Sequence, residues 1–260
     1  MNDREASLLA SLADMGSVVV ALSGGVDSAY LAWAAHSTLG DDALAVTGVS
    51  PSYSLAQREM VEQLVARFGL RHEWIETREM DVAGYVANAP NRCYFCKSEL
   101  YGRLAAMAGA RGIAAVVDGT NASDLADDRP GRVAAAELGV RSPLVECGID
   151  KRSVRELARR AEIPVWDAPA SACLASRIPH GTPVTIGRLD RVERAESALR
   201  ALGYRQLRVR NHDDVARVEI GGDELAAALE PSRVHEITRA LRPIGFVRVT
   251  VDPAGYRSRE

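Results

Sequence analysis

Apolar runs alternate with segments of helical periodicity through the first two thirds of the chain. The apolar runs predict four strands, at 17–22, 43–49, 71–76 and 113–118. The intervening stretches predict helices near 28–39, 54–68, 96–110, 131–138 and 151–160. Strands that are apolar throughout and separated by helices are typical of a parallel sheet with helices on both faces. The predicted fold class of this region is therefore α/β.

The pattern changes beyond Pro183, where the segments become shorter and more charged. They predict a helix at 187–202, strands at 205–210 and 215–220, helices at 222–229 and 231–242, and a strand at 245–251. This order is typical of a small α+β domain. Pro179 and Gly181 interrupt the periodicity, so we predict a large domain at 1–180 and a small one, for substrate binding or oligomerisation, at 181–260.

Composition narrows the class of protein. The chain has 260 residues, 47% of them hydrophobic and 26% charged, which is typical of a globular protein. The net charge of −3 gives no basic field for a nucleic acid. The apolar runs are too short to span a bilayer and the first residues do not resemble a signal peptide, so we expect a cytoplasmic protein without membrane partners. Four cysteines in such a chain are expected to be reduced, metal-bound or reactive.

The segment between the first strand and the first helix has the composition of a phosphate-binding loop. It reads Ser23, Gly24, Gly25, Val26, Asp27 and Ser28. A strand that ends at paired glycines and continues as a helix presents free backbone N–H groups to an anion. The spacing is neither that of a Walker A loop nor that of a Rossmann fingerprint. An ordinary glycine-rich turn is the alternative, but the order of strand, loop and helix favours a phosphate site.

The cysteines suggest a second kind of chemistry. Cys93 and Cys96 lie three residues apart, in what we expect to be the loop before a helix. Cys173 lies in the proline-bracketed segment 169–179 at the predicted domain boundary, where a catalytic group is expected. Cys147 is expected to follow a strand and to be structural. The first three cysteines fit separate buried thiols, a zinc site completed by Cys147 or a histidine, or an iron–sulfur cluster with one open iron, and we favour the cluster.

Four segments together resemble the LarE family of ATP-dependent sulfur transferases, which belongs to the PP-loop superfamily. They are 23–28, 91–97, 118–124 and 169–179. The resemblance implies that ATP and Mg²⁺ are used to adenylylate the carboxylates of pyridinium-3,5-biscarboxylic acid mononucleotide. Pyrophosphate is released and thiocarboxylates are formed, which later bind nickel in the nickel-pincer nucleotide of lactate racemase. It also implies a small-molecule nucleotide substrate, a homo-oligomer and transfer of the product to a nickel-inserting protein.

The same family implies two sources of sulfur. In one, a lone cysteine matching Cys173 gives up its own sulfur and becomes dehydroalanine. In the other, three cysteines hold a [4Fe-4S] cluster whose unligated iron carries a hydrosulfide. Because this chain has Cys93 and Cys96 as well as Cys173, we favour the cluster type and keep the sacrificial cysteine as the alternative.

Further roles follow from the resemblance. The phosphate loop holds the leaving pyrophosphate, and Asp27 orients the loop or a Mg²⁺ ion, or only complements the helix dipole. Asp124 is a second candidate near the metal, or forms a turn with Asn121. The predicted contacts to the substrate are Ser176, Arg177, Arg208 and Arg210. Arg208 and Arg210 share one face of their strand, for which a solvated face is the alternative, and the family favours phosphate binding. The predicted metal or substrate carboxylates are Glu196 and Glu219.

Other members of the superfamily are the main rivals. A tRNA thiolase is expected to carry a basic appended domain, which the acidic balance disfavours. An amidating or NAD synthetase needs an ammonia source, for which this length leaves no glutaminase domain. A nucleotide-binding regulator without catalysis is a rival of a different class, which binds ATP without releasing pyrophosphate.

Overall fold

The computed structural model of the chain describes residues 3–126, 130–169 and 172–256. These residues divide into two compact units. The first unit extends to residue 168 without the segments 51–54 and 86–89, which group in the second unit with the residues from 169 onward. The boundary expected near residue 180 lies inside the second unit.

Four parallel strands form the sheet of the first unit. They are β1 (Val18–Ala21), β2 (Ala43–Val49), β3 (His72–Glu76) and β4 (Ala115–Asp118). Their order across the sheet is β3-β2-β1-β4, and all three pairs of neighbours are parallel. The four strands predicted from the apolar runs and the α/β class are thereby confirmed.

Helices cover both faces of this sheet. The α-helices up to residue 160 are α1 (Asp3–Met15), α2 (Val26–Leu39), α3 (Leu55–Phe68), α4 (Ala83–Val86), α5 (Arg92–Arg111), α6 (Pro130–Glu137), α7 (Pro143–Glu146) and α8 (Lys151–Arg160). Successive side chains of β1 point to opposite faces. Val18 packs in one apolar cluster with Leu8 of α1 and Leu157 of α8, while Val19 packs in another with Leu104 of α5.

Three local predictions for this unit need correction. α1 was not predicted, although Leu8 and Leu12 form the buried stripe of a helix. Cys93 and Cys96 do not precede their helix, because α5 begins at Arg92. Cys147 follows the short helix α7 rather than a strand, because Pro143 is placed in its first turn, a position that suits proline.

The order of the strands fixes where a ligand can bind. The chain runs from β1 to β2 and β3 on one side, and β4 then pairs with β1 on its other side. The connections therefore diverge between β1 and β4, and in open parallel sheets ligands bind at the carboxyl ends of the strands at such a point. The segments after these strands, 22–25 and 119–121, meet at this edge, which we call the switch-point edge.

The second unit has a sheet of its own. Its strands are β5 (Leu207–His212), β6 (Val215–Ile220) and β7 (Arg248–Val251), and its helices from residue 169 onward are α9 (Ile186–Ala201), α10 (Gly222–Ala228) and α11 (Pro231–Leu241). β5 and β6 form an antiparallel hairpin, and β7 pairs parallel to β6. The predicted small α+β region is confirmed. No helix in the described parts of the chain is long and apolar enough to cross a membrane.

Candidate functional site

The phosphate loop, residues 23–28, has the backbone geometry of an anion site. Gly24 has a φ of +84°, a conformation that favours glycine. Gly25 is the N-cap residue of α2 with extended backbone, and no side chain caps this helix end. The first amides of α2 therefore lack a side-chain acceptor and carry the positive end of the helix dipole. The loop can bind phosphate through its backbone.

The two serines of the loop bond to each other. The hydroxyls of Ser23 and Ser28 lie 3.0 Å apart, and the Ser23 N–H donates to the Ser28 hydroxyl at 3.1 Å. The Ser28 hydroxyl also lies 3.0 Å from the Gly25 carbonyl, to which it can donate. These bonds close the loop on itself. They fix the positions of its amides before any ligand arrives.

The segment after β4 packs directly on this loop. A Cβ atom on Gly119 would lie 2.6 Å from the backbone nitrogen of Ser28, so only glycine fits there. Asp118 accepts hydrogen bonds from the hydroxyls of Tyr101, at 2.6 Å, and Ser142, at 2.8 Å. Asp118 is thus a bonded, buried anchor for the segment. The two loops of the switch-point edge are joined as the sheet order predicts.

Asp27 forms an ion pair that the sequence did not reveal. Its carboxylate lies 2.5 Å from Nζ of Lys151, the first residue of α8, and accepts a bond of 3.3 Å from the Asn121 amide. Burial raises the pKa of Asp27, and the charge of Lys151 offsets part of this rise. Because 124 positions separate the partners, no local spacing could have indicated the pair.

Asp124 lies close to this pair and forms the predicted turn. Its carboxylate accepts a hydrogen bond of 3.1 Å from the Asn121 N–H. The side-chain amide of the same Asn121 donates to Asp27, so both carboxylates lie around one residue, and the negative charge of Asp124 contributes to the raised pKa of Asp27. Asp27, Asp124 and Lys151 therefore form one charged group at the switch-point edge, and such carboxylates are the ligands that Mg²⁺ prefers.

Cys93 and Cys96 lie within the first two turns of α5. Cys93 is exposed and Cys96 is half-buried. Residues three apart on a helix share a face, so both thiols can serve one centre. The next residue, Lys97, lies with Nζ 4.9 Å from the centre of the Tyr101 ring, and its pKa is raised by its interactions with Tyr101 and, to a smaller extent, with Asp118. Within 3–126, 130–169 and 172–256 no three His, Cys, Asp or Glu side chains are grouped so that they could hold a metal ion.

Cys173 belongs to the second unit, in a loop that buried charges hold. It is half-buried and precedes a short 3-10 helix, Leu174–Arg177. Ala170 and Ser171, within the predicted segment 169–179, lie outside the described residues. We call residues 172–177 the Cys173 loop. Its Leu174 N–H donates to the Ser52 carbonyl at 2.9 Å, which ties the loop to the segment 51–54 of the same unit.

The buried side chain of Arg177 holds the Cys173 loop through hydrogen bonds to its carbonyls. Its Nη1 donates to the carbonyls of Ala172 at 2.8 Å and Cys173 at 3.3 Å, and to the Ser176 hydroxyl at 2.9 Å. Its Nε and Nη2 donate to the carboxylate of Glu196, at 2.8 and 3.3 Å. Arg177 is 5% exposed and Glu196 is fully buried. Burial alone lowers the pKa of Arg177, but the attraction of Glu196 outweighs it and raises the pKa.

The predicted arginines of β5 lie beside the same loop. Arg210 donates to the Ser176 carbonyl at 2.8 Å and to both carboxylate oxygens of Glu219, at 2.9 and 3.1 Å. Arg208 donates to the Tyr256 hydroxyl at 2.8 Å, with its guanidinium 4.3 Å from the centre of that ring. Burial, followed by the like charges of Arg177 and Arg210, lowers the pKa of Arg208 despite the favourable effect of Tyr256.

This arrangement clarifies the expected roles in the second unit. Arg177 and Arg210 bond to the Cys173 loop, which includes Ser176, and Arg208 lies near these two arginines. Glu196 and Glu219 pair with arginines within the same cluster. Burial, followed by the like charges of Arg177 and Arg210, lowers the pKa of Arg208, so three guanidinium groups lie near one another here.

Comparison with known proteins gives the family. No family model matches the chain. An uncharacterized protein of Synechocystis sp. is 42% identical over 245 residues, which cover 94% of this chain and 91% of that protein. The pyridinium-3,5-bisthiocarboxylic acid mononucleotide synthase of Lactiplantibacillus plantarum is 34% identical over 256 residues, 98% of this chain and 92% of the synthase. An uncharacterized protein of Methanocaldococcus jannaschii is 32% identical over 173 residues, 66% of this chain and 67% of that protein.

The sheet order and the glycine loop at its switch-point edge define a PP-loop-like α/β protein with a small C-terminal sheet. Within that class, the chain belongs to the LarE family, the family of the pyridinium-3,5-bisthiocarboxylic acid mononucleotide synthase.

Proposed function

We propose that the chain is an ATP-dependent sulfur transferase of nickel-pincer nucleotide synthesis. It adenylylates the carboxylates of pyridinium-3,5-biscarboxylic acid mononucleotide, releases pyrophosphate, and converts the acyl-adenylates to thiocarboxylates. The observation that carries the proposal is the 34% identity to the L. plantarum synthase over 98% of this chain. The phosphate loop and the clamped Cys173 loop both lie within the matched length.

The first step needs a leaving group. A carboxylate oxygen is a poor one, and joining it to AMP makes displacement by sulfur possible. In this proposal the amides of Gly25 and the first turn of α2 hold the pyrophosphate, where a helix N-terminus stabilises the charge that develops as the phosphates separate. Asp27 and Asp124 are the carboxylates at this edge that would hold Mg²⁺, which neutralises the phosphates.

The substrate phosphate needs a cationic site. Arg208 and Arg210 are proposed to bind it, because guanidinium groups recognise phosphate through paired hydrogen bonds. For Arg177 we propose a role other than the expected contact to the substrate. Its Nε and both terminal nitrogens bond to Glu196 and to the Cys173 loop, which supports a role in positioning the loop. Glu219 supports Arg210 in the same way.

The sulfur is proposed to pass through the thiols. Cys93 and Cys96 suit an iron–sulfur cluster as donors, since such clusters are held by thiolates and both lie on one helical turn. We keep Cys173 as the third ligand. A [4Fe-4S] cluster with one iron free of protein ligands supplies a coordination position for sulfide. In the alternative mechanism, Cys173 gives up its own sulfur and needs neither Cys93 nor Cys96.

The overall proposal is tested by measuring pyrophosphate release. The purified protein with Mg·ATP should release pyrophosphate when the biscarboxylate nucleotide is supplied and not with nicotinic acid mononucleotide, and mass spectrometry should find a thiocarboxylate product. ATP binding without release would favour the non-catalytic regulator. Release stimulated by tRNA or by an amine acceptor, with no effect of the biscarboxylate, would favour another PP-loop enzyme.

The two sulfur sources are separated by a second measurement. Anaerobic reconstitution with iron and sulfide, followed by visible and Mössbauer spectra, should show a [4Fe-4S] cluster that is lost in Cys93→Ala and in Cys173→Ala. The mass of Cys173 after turnover should be unchanged. A protein that binds no cluster and loses one sulfur from Cys173 to give dehydroalanine would establish the sacrificial route instead.

A further inference from the structure

The segment between α9 and β5 carries a tyrosine whose hydroxyl is buried without a partner. Tyr204 is 8% exposed, and its hydroxyl bonds to no other group in the described part of the chain. A buried polar atom without a hydrogen bond costs stability, so native proteins keep few of them and each needs an explanation. Burial raises the pKa of Tyr204, although Arg233 lowers it in part, so the hydroxyl stays protonated at neutral pH and can donate a hydrogen bond.

This tyrosine lines a cavity of about 250 Å³ within the second unit. Three elements of that unit form its walls, namely the turn after α9, the helix α10 and the first turn of α11. They contribute Leu202, Tyr204, Asp223, Glu224, Ala227 and Arg233. Pockets for drug-sized ligands measure about 300–1,000 Å³, so this cavity suits a smaller molecule.

The wall formed by α11 supplies a positive charge. Arg233 pairs with Glu236 on the same helix, with 2.6 Å between Nη1 and Oε2. Their side chains are 50% and 33% exposed, and an exposed pair of this kind contributes little, so the guanidinium is free to turn to another acceptor. A guanidinium and a phenolic hydroxyl can donate together to the oxygens of one carboxylate. Arg233 and Tyr204 therefore suit a ligand that carries a carboxylate.

The wall formed by α10 supplies the opposite charge. Asp223 and Glu224 are the second and third residues of this helix. The carboxylate of Glu224 accepts the N–H groups of Arg205 at 3.1 Å and Gln206 at 3.2 Å, so it already has donors. Asp223 is exposed, and its carboxylate forms no hydrogen bond or ion pair with residues 3–126, 130–169 or 172–256. An ammonium, with three donors, is a suitable partner for such a carboxylate.

We propose that this cavity binds a free α-amino acid. The carboxylate of the ligand bonds to Arg233 and accepts the hydrogen bond of the Tyr204 hydroxyl. Its ammonium bonds to Asp223, and its side chain lies against Leu202 and Ala227. Because the two signs of charge come from separate helices, the lining favours a zwitterion over a simple anion or cation. The site is independent of the proposed sulfur transfer, since none of its residues belongs to the phosphate loop or the Cys173 loop.

Fluorine NMR tests the occupant directly. The full chain labelled with 3-fluorotyrosine should give seven ¹⁹F signals, one for each tyrosine, and Tyr204→Phe identifies the signal of Tyr204. At least one of the standard L-amino acids should shift this signal in a saturable manner, whereas acetate and methylamine at the same concentration should not. The absence of a shift with every amino acid would overturn the inference. An equal shift with acetate or with methylamine would show a simple ion site and would also overturn it.

Affinity, measured by calorimetry with the amino acid that the NMR screen identifies, gives the second test. Tyr204→Phe and Arg233→Gln should each weaken binding about 10-fold or more, as expected for loss of a hydrogen bond to a charged group. Arg239→Gln is the matched control, because it removes one positive charge from an exposed residue in the last turn of the same helix and should change affinity by less than about twofold. Equal losses in the two arginine variants would overturn the inference.

Thermal unfolding separates a ligand contact from a structural one. Without an amino acid, Tyr204→Phe should unfold at the temperature of the parent or above it, because the hydroxyl that it removes has no partner in the described part of the chain. A lower unfolding temperature together with an unchanged affinity would show that the hydroxyl serves the fold through bound water, and would overturn the inference.

Discussion

The phosphate loop and the Cys173 loop are held in opposite ways. The phosphate loop is fixed by its own backbone and by the hydroxyls of Ser23 and Ser28, all within six consecutive residues. The Cys173 loop is fixed by the guanidinium groups of Arg177 and Arg210, whose carboxylate partners come from α9 and β6. The first loop is a local structure that a short sequence can specify. The second depends on buried charges that only the folded unit brings together.

The largest loss of stability is expected at Glu196, because the Cys173 loop depends on its buried charge. Glu196→Leu removes the carboxylate that faces the buried Arg177 and also accepts the Val209 N–H at 3.1 Å. An uncompensated charge in a buried site costs about 3–5 kcal/mol. We expect the free energy of unfolding of the second unit to fall by that amount in urea titrations followed by hydrogen exchange, with the first unit little changed.

The control removes both charges. Arg177→Met combined with Glu196→Leu should recover much of the lost stability, because apolar residues often replace a buried ion pair at little cost. It should not restore the Cys173 loop, whose carbonyls lose their donor. Faster alkylation of Cys173 in the stable double variant than in the parent is the expected sign. A double variant that is stable and still protects Cys173 would show that Arg177 does not hold the loop.

The corresponding position for the phosphate loop is Gly119, which packs against its backbone. In Gly119→Ala the new Cβ would meet the backbone nitrogen of Ser28 at 2.6 Å, and neither backbone can yield alone. Overpacking of this kind costs about 1–3 kcal/mol, and the displaced amides should also weaken ATP binding. Thermal unfolding and calorimetry measure the two effects.

Gly102 is the matched control for that substitution. It lies inside α5 with nothing within 4 Å of its ideal Cβ, so Gly102→Ala should stabilise the helix by up to about 1 kcal/mol. Equal behaviour of the two alanine variants would mean that the contact between the loops does not constrain the site.

The same contrast explains how much the sequence could predict. The strands, most of the long helices and the phosphate loop follow from periodicity and from glycine, which are local signals. The start of α5 at Arg92 was missed, although Asn91, a residue type preferred at helix N-caps, precedes it. Its side chain makes no cap bond in the structure. The role of Arg177 and the contact of Lys151 with Asp27 are long-range pairings. Residues 19 and 124 positions apart carry no spacing signal of their contact.

Thiol reactivity should distinguish two cysteines by their exposure. Cys93 is exposed in the first turn of α5, whereas Cys147 is half-buried at the C-terminal end of α7. Burial, with a smaller effect of Glu146, raises the pKa of the Cys147 thiol. At pH 7.5 iodoacetamide should modify Cys93 first, and the rate at Cys147 should increase as the pH rises, measured by peptide mass spectrometry. Modification of Cys147 first would contradict this assignment.

The smallest expected loss of stability comes from removing a helix cap, and one cap in each unit can be compared. Asp150 caps α8 by accepting the Ser153 N–H at 2.8 Å, and Thr185 caps α9 by accepting the Arg188 N–H at 3.3 Å. Asp150→Ala and Thr185→Ala should each cost about 0.5–2 kcal/mol at pH 7, with the shorter, charged cap losing more. Thermal unfolding of both variants and the parent measures the two losses.

Only the cap of the first unit should depend on pH. The hydrogen bond from the Ser153 N–H lowers the pKa of Asp150 in the folded protein. The contribution of this cap to stability is therefore complete above the pKa of Asp in the unfolded state, about 3.9. It is lost as the pH falls through the lower pKa of Asp150 in the folded protein. The difference between the parent and Asp150→Ala should shrink between pH 5 and pH 2, while that for Thr185→Ala stays constant. Parallel curves for both variants would show that the charge of Asp150 adds nothing to its cap.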